Sequence, residues 1–153
     1  MPAMGKKTVF AIVALALTGL VVYTSLNTGA TYIGVGGRVG RWINEHLLFG
    51  ALSEDEVWTV TNVGGKFVGH FLLFLLTGSF TWLFLKETKM PALPRTIVLL
   101  VYGLLLSCLG EAIQLSVEGR FGSLADVILN FSAYCFVPLW AKLKRDISPA
   151  VRG

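Results

Sequence analysis

Four apolar runs, each about twenty residues long, divide this sequence and limit the folds open to it. They cover residues 8–26, 63–85, 95–115 and 123–141. The hydrocarbon core of a bilayer is about 30 Å thick, and a helix needs about 20 mostly apolar residues to cross it. Because backbone groups in lipid must bond within their own element, such runs predict helices. We therefore expect an all-α integral membrane protein, a bundle of four transmembrane helices.

The composition agrees with a single membrane domain. Of the 153 residues, 54% are hydrophobic and 14% are charged, whereas soluble domains are about 45–50% apolar and about 25% charged. No internal repeat or polar linker divides the chain, so we treat residues 1–153 as one domain. Cys108 and Cys135 lie within apolar runs and form no metal-binding spacing. This favours buried thiols over a disulfide or a zinc site, and no cofactor is expected.

The Lys and Arg residues predict the orientation of the helices. They are spread over the chain ends and the short loops, without the basic patch that a nucleic-acid site would show. More of them lie at the N-terminal end, between the second and third runs, and in the C-terminal tail than in the other two connections. By the positive-inside rule, both termini face the cytoplasm.

The first run has two interpretations, a retained helix or a cleaved signal peptide. Lys6 and Lys7 precede it, and Thr28-Gly29-Ala30 loosely resembles a cleavage site. The apolar part is longer than the roughly 7–15 residues usual in a signal peptide. A retained helix is therefore favoured.

The outer connection, residues 27–62, is long enough to have structure of its own. Gly34, Gly36 and Gly37 predict a pliable start. Ser53 and Glu56 form a capping-box pattern, which predicts a short helix. The segment between them predicts a helix lying in the membrane interface, because its apolar residues share one helical face: Val39, Trp42, Ile43, Leu47 and Leu48. The alternative for this connection is a lid without chemistry.

Polar residues that a lipid-facing helix does not need occur in the outer parts of the last three spans. They come in pairs at helical spacing, so each pair lies on one face, and the predicted orientation brings all three pairs to one depth. Arg120 and Ser123 stand between the third and fourth spans. We predict a polar cluster formed by Lys66, His70, Glu111, Gln114, Arg120, Ser123, Asp126 and Asn130.

Several of these residues also have a purely structural interpretation. Asp126 suits the first turn of a helix, where an acid complements the dipole, and Arg120 could extend to the headgroups. His70 could be a hydrogen-bonded interior histidine, while Gln114 and Asn130 could link helices.

Lys66 and Glu111 are harder to explain structurally, because each lies at the end of its helix where the dipole opposes its charge. A structural ion-pair lattice is the alternative for these two residues. Buried ion pairs stabilise poorly compared with apolar side chains, which favours function.

The segments NVGGKFVGHFLLFLLTG and GEAIQLSVEGRFGSLADVILN together resemble the VanZ-like family. The first resembles its Lys-x-x-x-His motif, and the second its Glu-x-x-Gln and Gly-Arg-x-x-Ser-x-x-Asp-x-x-x-Asn motifs, so the eight residues of the predicted cluster fall on the matching positions. The resemblance covers spans two to four. It implies a bacterial cytoplasmic-membrane protein of the cell envelope, and resistance to the glycopeptide antibiotic teicoplanin. This chain has Phe131-Ser132-Ala133-Tyr134 where the family often has glycines. Ala133 can still serve as a small contact, but a tight approach of the fourth span is less expected.

The leading hypothesis is a site for an anionic headgroup at the outer leaflet. Lys66 and Arg120 would contact phosphate or carboxylate, while Glu111 and Asp126 position those cations. His70, Gln114 and Asn130 would complete the hydrogen bonding. The resemblance implies membrane lipids as partners and, as ligand, a lipid-linked envelope precursor or a glycopeptide or lipopeptide. Nothing in the sequence selects an oligomeric state.

Three alternatives belong to other functional classes. An enzyme acting on a lipid-linked phosphate would use His70, with Glu111 or Asp126, as general base, or would use His70 to ligate a metal. No nucleophile motif or HExxH motif is present, which disfavours an enzyme and leaves catalytic residues unassigned. A small ion-coupled transporter would use the intramembrane acids, although these are confined to the outer half. A structural partner of a larger assembly would use Gly65 and Gly69 as a close-contact face.

Overall fold

The computed structural model describes residues 5–27, 29–60 and 64–150, without the side chains of residues 29–36, 58, 65, 66 and 148–150. Within these ranges every regular element is a helix, and four helices are long and apolar enough to cross a membrane. The predicted all-α fold with four membrane-spanning helices is confirmed. The helices are α1 Lys6–Leu26, α2 Gly29–His46, α3 Glu54–Thr59, α4 Gly65–Glu87, α5 Ala92–Gln114 and α6 Leu124–Ala150.

The four spanning helices form a ring in the order α1, α4, α6, α5. Phe10 near the start of α1 contacts Phe80 near the end of α4, with ring centroids 6.3 Å apart. At the other end of α1, Ser25 lies beside Gly110 of α5. Thus α1 and α5 run in one direction, and α4 and α6 run in the other. The end where α1 and α5 finish is called the polar end, and the opposite end is called the basic end.

Tyr134 of α6 occupies the centre of the ring and is fully buried. Its ring meets Phe74 and Tyr102 edge-on, at centroid distances of 6.2 Å and 6.1 Å. A Cβ at Gly103 of α5 would overlap the tyrosine ring, and a Cβ at Gly78 of α4 would lie 3.1 Å from Tyr134 Cδ1. The fourth span therefore approaches its neighbours tightly, which the residues after Asn130 made less expected. Glycines on the facing helices, rather than on α6 itself, make room for close packing.

The fourth span is longer than the sequence indicates. The predicted helix ends at residue 141 with Pro138 in its last turn, but α6 continues to Ala150. Pro138 removes only the hydrogen bond to the carbonyl four residues earlier. The residues after it are mostly good helix formers, so the helix resumes.

The outer connection contains α2 and α3, and it differs from the prediction at both ends of α2. The helix begins at Gly29 and includes the glycines predicted to be pliable. It ends at His46, so Leu47 and Leu48 lie in the turn that follows. The Asn44 side chain closes this turn by donating to the Leu52 carbonyl at 2.9 Å and accepting from its N–H at 3.0 Å.

Exposed apolar side chains on α2 agree with a helix that lies in the membrane interface. Val39, Trp42 and Ile43 are all exposed, and α2 packs against α3. The predicted capping box of α3 is confirmed. Ser53 Oγ accepts from the Glu56 N–H at 3.4 Å, and the Ser53 N–H donates to Glu56 Oε2 at 2.8 Å.

Candidate functional site

At the polar end, side chains from all four spanning helices surround a cavity of about 20 Å³. Such a cavity is large enough for one water molecule and too small for a headgroup. Glu111, Gln114 and Asn130 are only 5%, 2% and 1% exposed. We call the group the polar layer; its members are Ser25, His70, Glu111, Gln114 and Asn130.

Glu111 connects α5 to the start of α6. The Ser123 N–H donates to Glu111 Oε2 at 2.9 Å, and Gln114 Nε2 donates to Glu111 Oε1 at 3.5 Å. Ser123 directly precedes α6, and its carbonyl accepts the Asp126 and Val127 N–H groups that open the helix. The Glu111 carboxylate therefore lies at the N-terminal end of α6.

This position changes the electrostatic interpretation of Glu111. The dipole of α5 opposes a negative charge at its C-terminal end, but the N-terminal end of α6 favours one. The bond from Ser123 is also charge-assisted, which makes it stronger than a neutral one. A neighbouring helix thus supplies the compensation that Glu111 lacks within its own helix.

His70 of α4 is joined to Asn130 of α6 across the bundle. His70 Nδ1 lies 3.3 Å from Asn130 Oδ1. An amide oxygen only accepts, so this pairing requires a proton on Nδ1. Asn130 is almost fully buried, and the bond therefore ties α4 to α6 at the same depth at which Glu111 ties α5 to α6.

The loop between α5 and α6, residues 115–123, lets the chain reverse its direction tightly. Gly119 has φ +72°, a left-handed conformation that favours glycine. A Cβ at Gly122 would lie 2.9 Å from the Glu111 carbonyl oxygen and would clash with Leu115. The loop can therefore approach the end of α5 closely, and this brings Ser123 within reach of Glu111.

The charged members of the predicted cluster lie around this loop. Arg120 and Asp126 are half-buried, and both interact with neighbouring groups. Asp126 is in the first turn of α6, as its structural interpretation expects. Lys66 belongs to the first turn of α4, but its side chain lies outside the described part of the structure.

The first helix contributes to the polar layer, which the sequence analysis did not foresee. Thr24 and Ser25 line the cavity, and Ser25 is only 4% exposed. Each hydroxyl donates to the Val21 carbonyl of its own helix, at 3.0 Å and 2.9 Å. The sequence signal for this contribution was a pair of hydroxyl residues near the end of the first apolar run, at the depth predicted for the cluster. Short hydroxyl side chains are common in spanning helices, so that signal is weak.

The chemical groups of the site are carboxylate, amide, imidazole and hydroxyl. In the described residues, no three His, Cys, Asp or Glu side chains are grouped so that they could hold a metal ion. The buried Gln114 Oε1 has no hydrogen-bond partner within the described part of the chain and belongs to the polar wall of the small cavity.

Comparison with known proteins relates the chain to one family. The family described as VanZ/LLP1 matches residues 10–144. The match includes α1 and the outer connection, which the resemblance noted from the sequence does not cover. Comparison with curated proteins and with solved structures gave no match. A match over nearly the whole length shows that this membrane protein belongs to the VanZ/LLP1 family.

Proposed function

We propose that this protein binds an anionic lipid headgroup, or a lipid-linked envelope precursor, at its polar end. The observation that carries this proposal is the buried Glu111 carboxylate holding the loop at residues 115–123 against α5. That loop carries Arg120, a cation suited to phosphate because its planar group donates two parallel hydrogen bonds.

The energetic cost of the polar layer supports a functional interpretation. An ionisable group inside a spanning bundle costs several kcal/mol, on the order of 2.5–3.5 at a helix centre and less toward the interface. Buried ionic groups contribute little stability compared with well-packed apolar residues. Glu111 is therefore better explained by the loop that it positions than by stability alone.

The size of the cavity supports a ligand position above the polar layer. A pocket for a small ligand usually encloses about 300–1,000 Å³, whereas the layer encloses about 20 Å³. In the proposal the headgroup therefore rests on the loop, in contact with Arg120 and with the predicted cation Lys66. Ser123 and Asp126 orient the loop beneath it. Because His70, Gln114 and Asn130 line the small cavity, the proposal gives them a supporting role beneath the loop instead of the direct ligand contacts expected from the sequence.

The family suggests which ligands to test. Resemblance to the VanZ-like family implies resistance to the glycopeptide teicoplanin in the bacterial cytoplasmic membrane. We extend this implication to the present chain as a proposal, with a lipid-linked precursor, glycopeptide or lipopeptide as ligand. Each of these combines acidic groups with an apolar part, which suits a cationic loop at a membrane surface.

The enzyme alternative keeps His70 and Glu111 as candidate acid–base groups, since both line the same cavity. A phosphoryl group would have to enter a space of the size of one water molecule, so the binding proposal is preferred. Turnover of a labelled polyprenyl phosphate that disappears in His70→Gln would reverse this preference. The transporter alternative is opposed by Phe74 and Tyr134, buried aromatic residues between the layer and the basic end.

The binding proposal is tested with Arg120→Gln. Purified protein is titrated with a polyprenyl phosphate in detergent and bound lipid is counted by native mass spectrometry. Losing a hydrogen bond to a charged group costs about 1.5–3 kcal/mol, so we expect an affinity at least about tenfold lower. In cells with matched expression, the same variant should lose any protection against teicoplanin.

Arg38→Gln is the matched control, because Arg38 is an exposed cation in the outer connection and the charge change is the same. It should bind the polyprenyl phosphate like the wild type. Glu111→Gln separates the positioning of the loop from direct contact with the ligand, because glutamine keeps an acceptor for the Ser123 N–H and removes the charge. An Arg120→Gln variant with unchanged lipid affinity and unchanged protection would refute the proposal.

A further inference from the structure

A groove lined by cations lies at the basic end, away from the polar layer. It forms where α4, α5 and α6 meet and encloses about 680 Å³. A second groove of about 800 Å³ follows the seam between α4 and α6. The two share a common wall formed by Trp82, Lys86, Ala141 and Arg145, and together we call them the basic groove.

The charged side chains described along the basic groove are all positive. No acidic residue occurs among the described residues that line it. Arg145 lies 3.8 Å from Asp146, but both side chains are mostly exposed, and exposed pairs are weak. The groove therefore attracts an anion. Its cations are Lys86, Arg95, Lys142, Lys144 and Arg145.

Arg95 is the cation that the protein holds most firmly. Its guanidinium carbon lies 4.3 Å from the centroid of the Trp82 ring, a cation–π arrangement that fixes the plane of the group. Its Nε is buried and has no hydrogen-bond partner among the described residues. Because Arg95 lines the groove, the rest of its guanidinium group can donate to an oxygen-bearing ligand there.

The start of α5 adds to the positive potential. Ala92 and Leu93, the first residues of this 23-residue helix, line the groove. The residue before them is Pro91, which provides no side-chain cap. The first N–H groups of a helix have no partner within it and, with the dipole, favour phosphate.

The remaining walls are apolar and select an amphipathic ligand. Leu93, Pro138 and Leu139 line the first groove, and stacked Phe136 and Trp140 line the second. In a spanning protein these side chains lie near the membrane boundary, where tryptophan is enriched. A free phosphate ion would contact only the cations, whereas a phospholipid would cover the cations with its phosphate and the walls with its acyl chains.

We propose that the basic groove binds an anionic glycerophospholipid from the surrounding membrane, at a site separate from the polar end. The phosphate lies among Arg95, Lys86 and Lys142 near the start of α5. The acyl chains lie along the apolar walls of α6. Basic pockets between spanning helices are a known setting for acidic lipid headgroups. This site does not depend on the ligand proposed for the polar end.

The test uses the full chain, purified in detergent, and native mass spectrometry with phosphatidylglycerol or phosphatidylcholine of the same acyl composition. The wild type should prefer phosphatidylglycerol. Each cation near a phosphate contributes about fivefold in affinity, so Arg95→Gln combined with Lys142→Gln should lower that preference about 25-fold. Inorganic phosphate should not compete at equal concentration, because it cannot use the apolar walls.

Lys89→Gln is the matched control, since Lys89 lies at the same end and is not among the lining residues. It should keep the full preference. Lys142→Gln alone, at an exposed position, should fold normally and lower the preference about fivefold. Equal preference in the wild type, the double variant and the control would overturn the proposal, as would competition by inorganic phosphate at equal concentration.

Discussion

At the scale of single residues, the environment of Glu111 shows what sequence spacing can and cannot predict. Spacing places Glu111 at the end of its helix, where the local dipole opposes it. The stabilising partner is the N–H of Ser123, twelve residues later, at 2.9 Å from Glu111 Oε2. That contact exists only because the loop reverses tightly at Gly119 and Gly122.

Gly103→Ala should destabilise the protein. The added Cβ would overlap the buried Tyr134 ring, and overpacking a dense core costs about 1–3 kcal/mol. We expect a lower free energy of unfolding, measured by denaturation in detergent micelles with far-UV circular dichroism.

Gly19→Ala is the control for Gly103→Ala. Gly19 also lies in a spanning helix, but a Cβ there would meet no atom within 4 Å. Its replacement should be neutral or slightly stabilising, because alanine is the better helix former. Equal destabilisation by the two substitutions would contradict the packing of Tyr134 against Gly103.

At the scale of elements, the stability of α3 depends on the hydrogen bonds at its N-terminal end. Hydrogen bonds from the Ser53 N–H and then from the Ser53 hydroxyl hold the pKa of Glu56 below its ordinary value. A depressed pKa means that the contribution to stability is complete above the pKa of the unfolded chain, about 4.3. It is lost as the pH falls through the lower, folded pKa.

Acidification should therefore loosen α3 while the spanning helices persist. Hydrogen exchange at the amide of Ser53, corrected for intrinsic rates, should show less protection as the pH falls below the pKa of the unfolded chain and through the lower, folded pKa. Glu56→Gln should remove the pH dependence, because the amide keeps an acceptor and does not titrate. A pH dependence that survives in Glu56→Gln would show that another group is responsible.

At the scale of the whole molecule, the ring of helices defines two unlike ends. The polar end has the polar layer and the loop with Arg120, and the basic end has the basic groove. Since α1 and α5 run opposite to α4 and α6, one orientation determines the side of every loop. The distribution of Lys and Arg predicts that the basic end faces the cytoplasm.

Single-cysteine variants test this orientation. Glu118 and Glu87 are exposed at the polar and basic ends respectively, and Cys108 and Cys135 would first be replaced by alanine. A membrane-impermeant maleimide should label Glu118→Cys in intact cells and Glu87→Cys only after the cells are opened. Both should react equally in detergent. Labelling of Glu87→Cys in intact cells would contradict the predicted orientation.

The amino-acid sequence is enough to predict the helical membrane fold, because apolar length and backbone hydrogen bonding leave one economical solution in lipid. It also determined the capping box of α3, where all the partners lie within four residues. Helix ends were predicted less well, because Pro138 and the glycines of α2 act through weak local preferences that context overrides.

The pairing of the polar residues depends on how the helices are arranged in the fold. Periodicity specifies the face and depth of His70 and Glu111, but their partners Asn130 and Ser123 depend on which helices are neighbours. The basic groove likewise combines residues from three helices, with separations that no local pattern encodes. The apolar length of a run is a property of one segment. Charge compensation and close packing join different segments, so they depend on the arrangement of the helices in the folded ring.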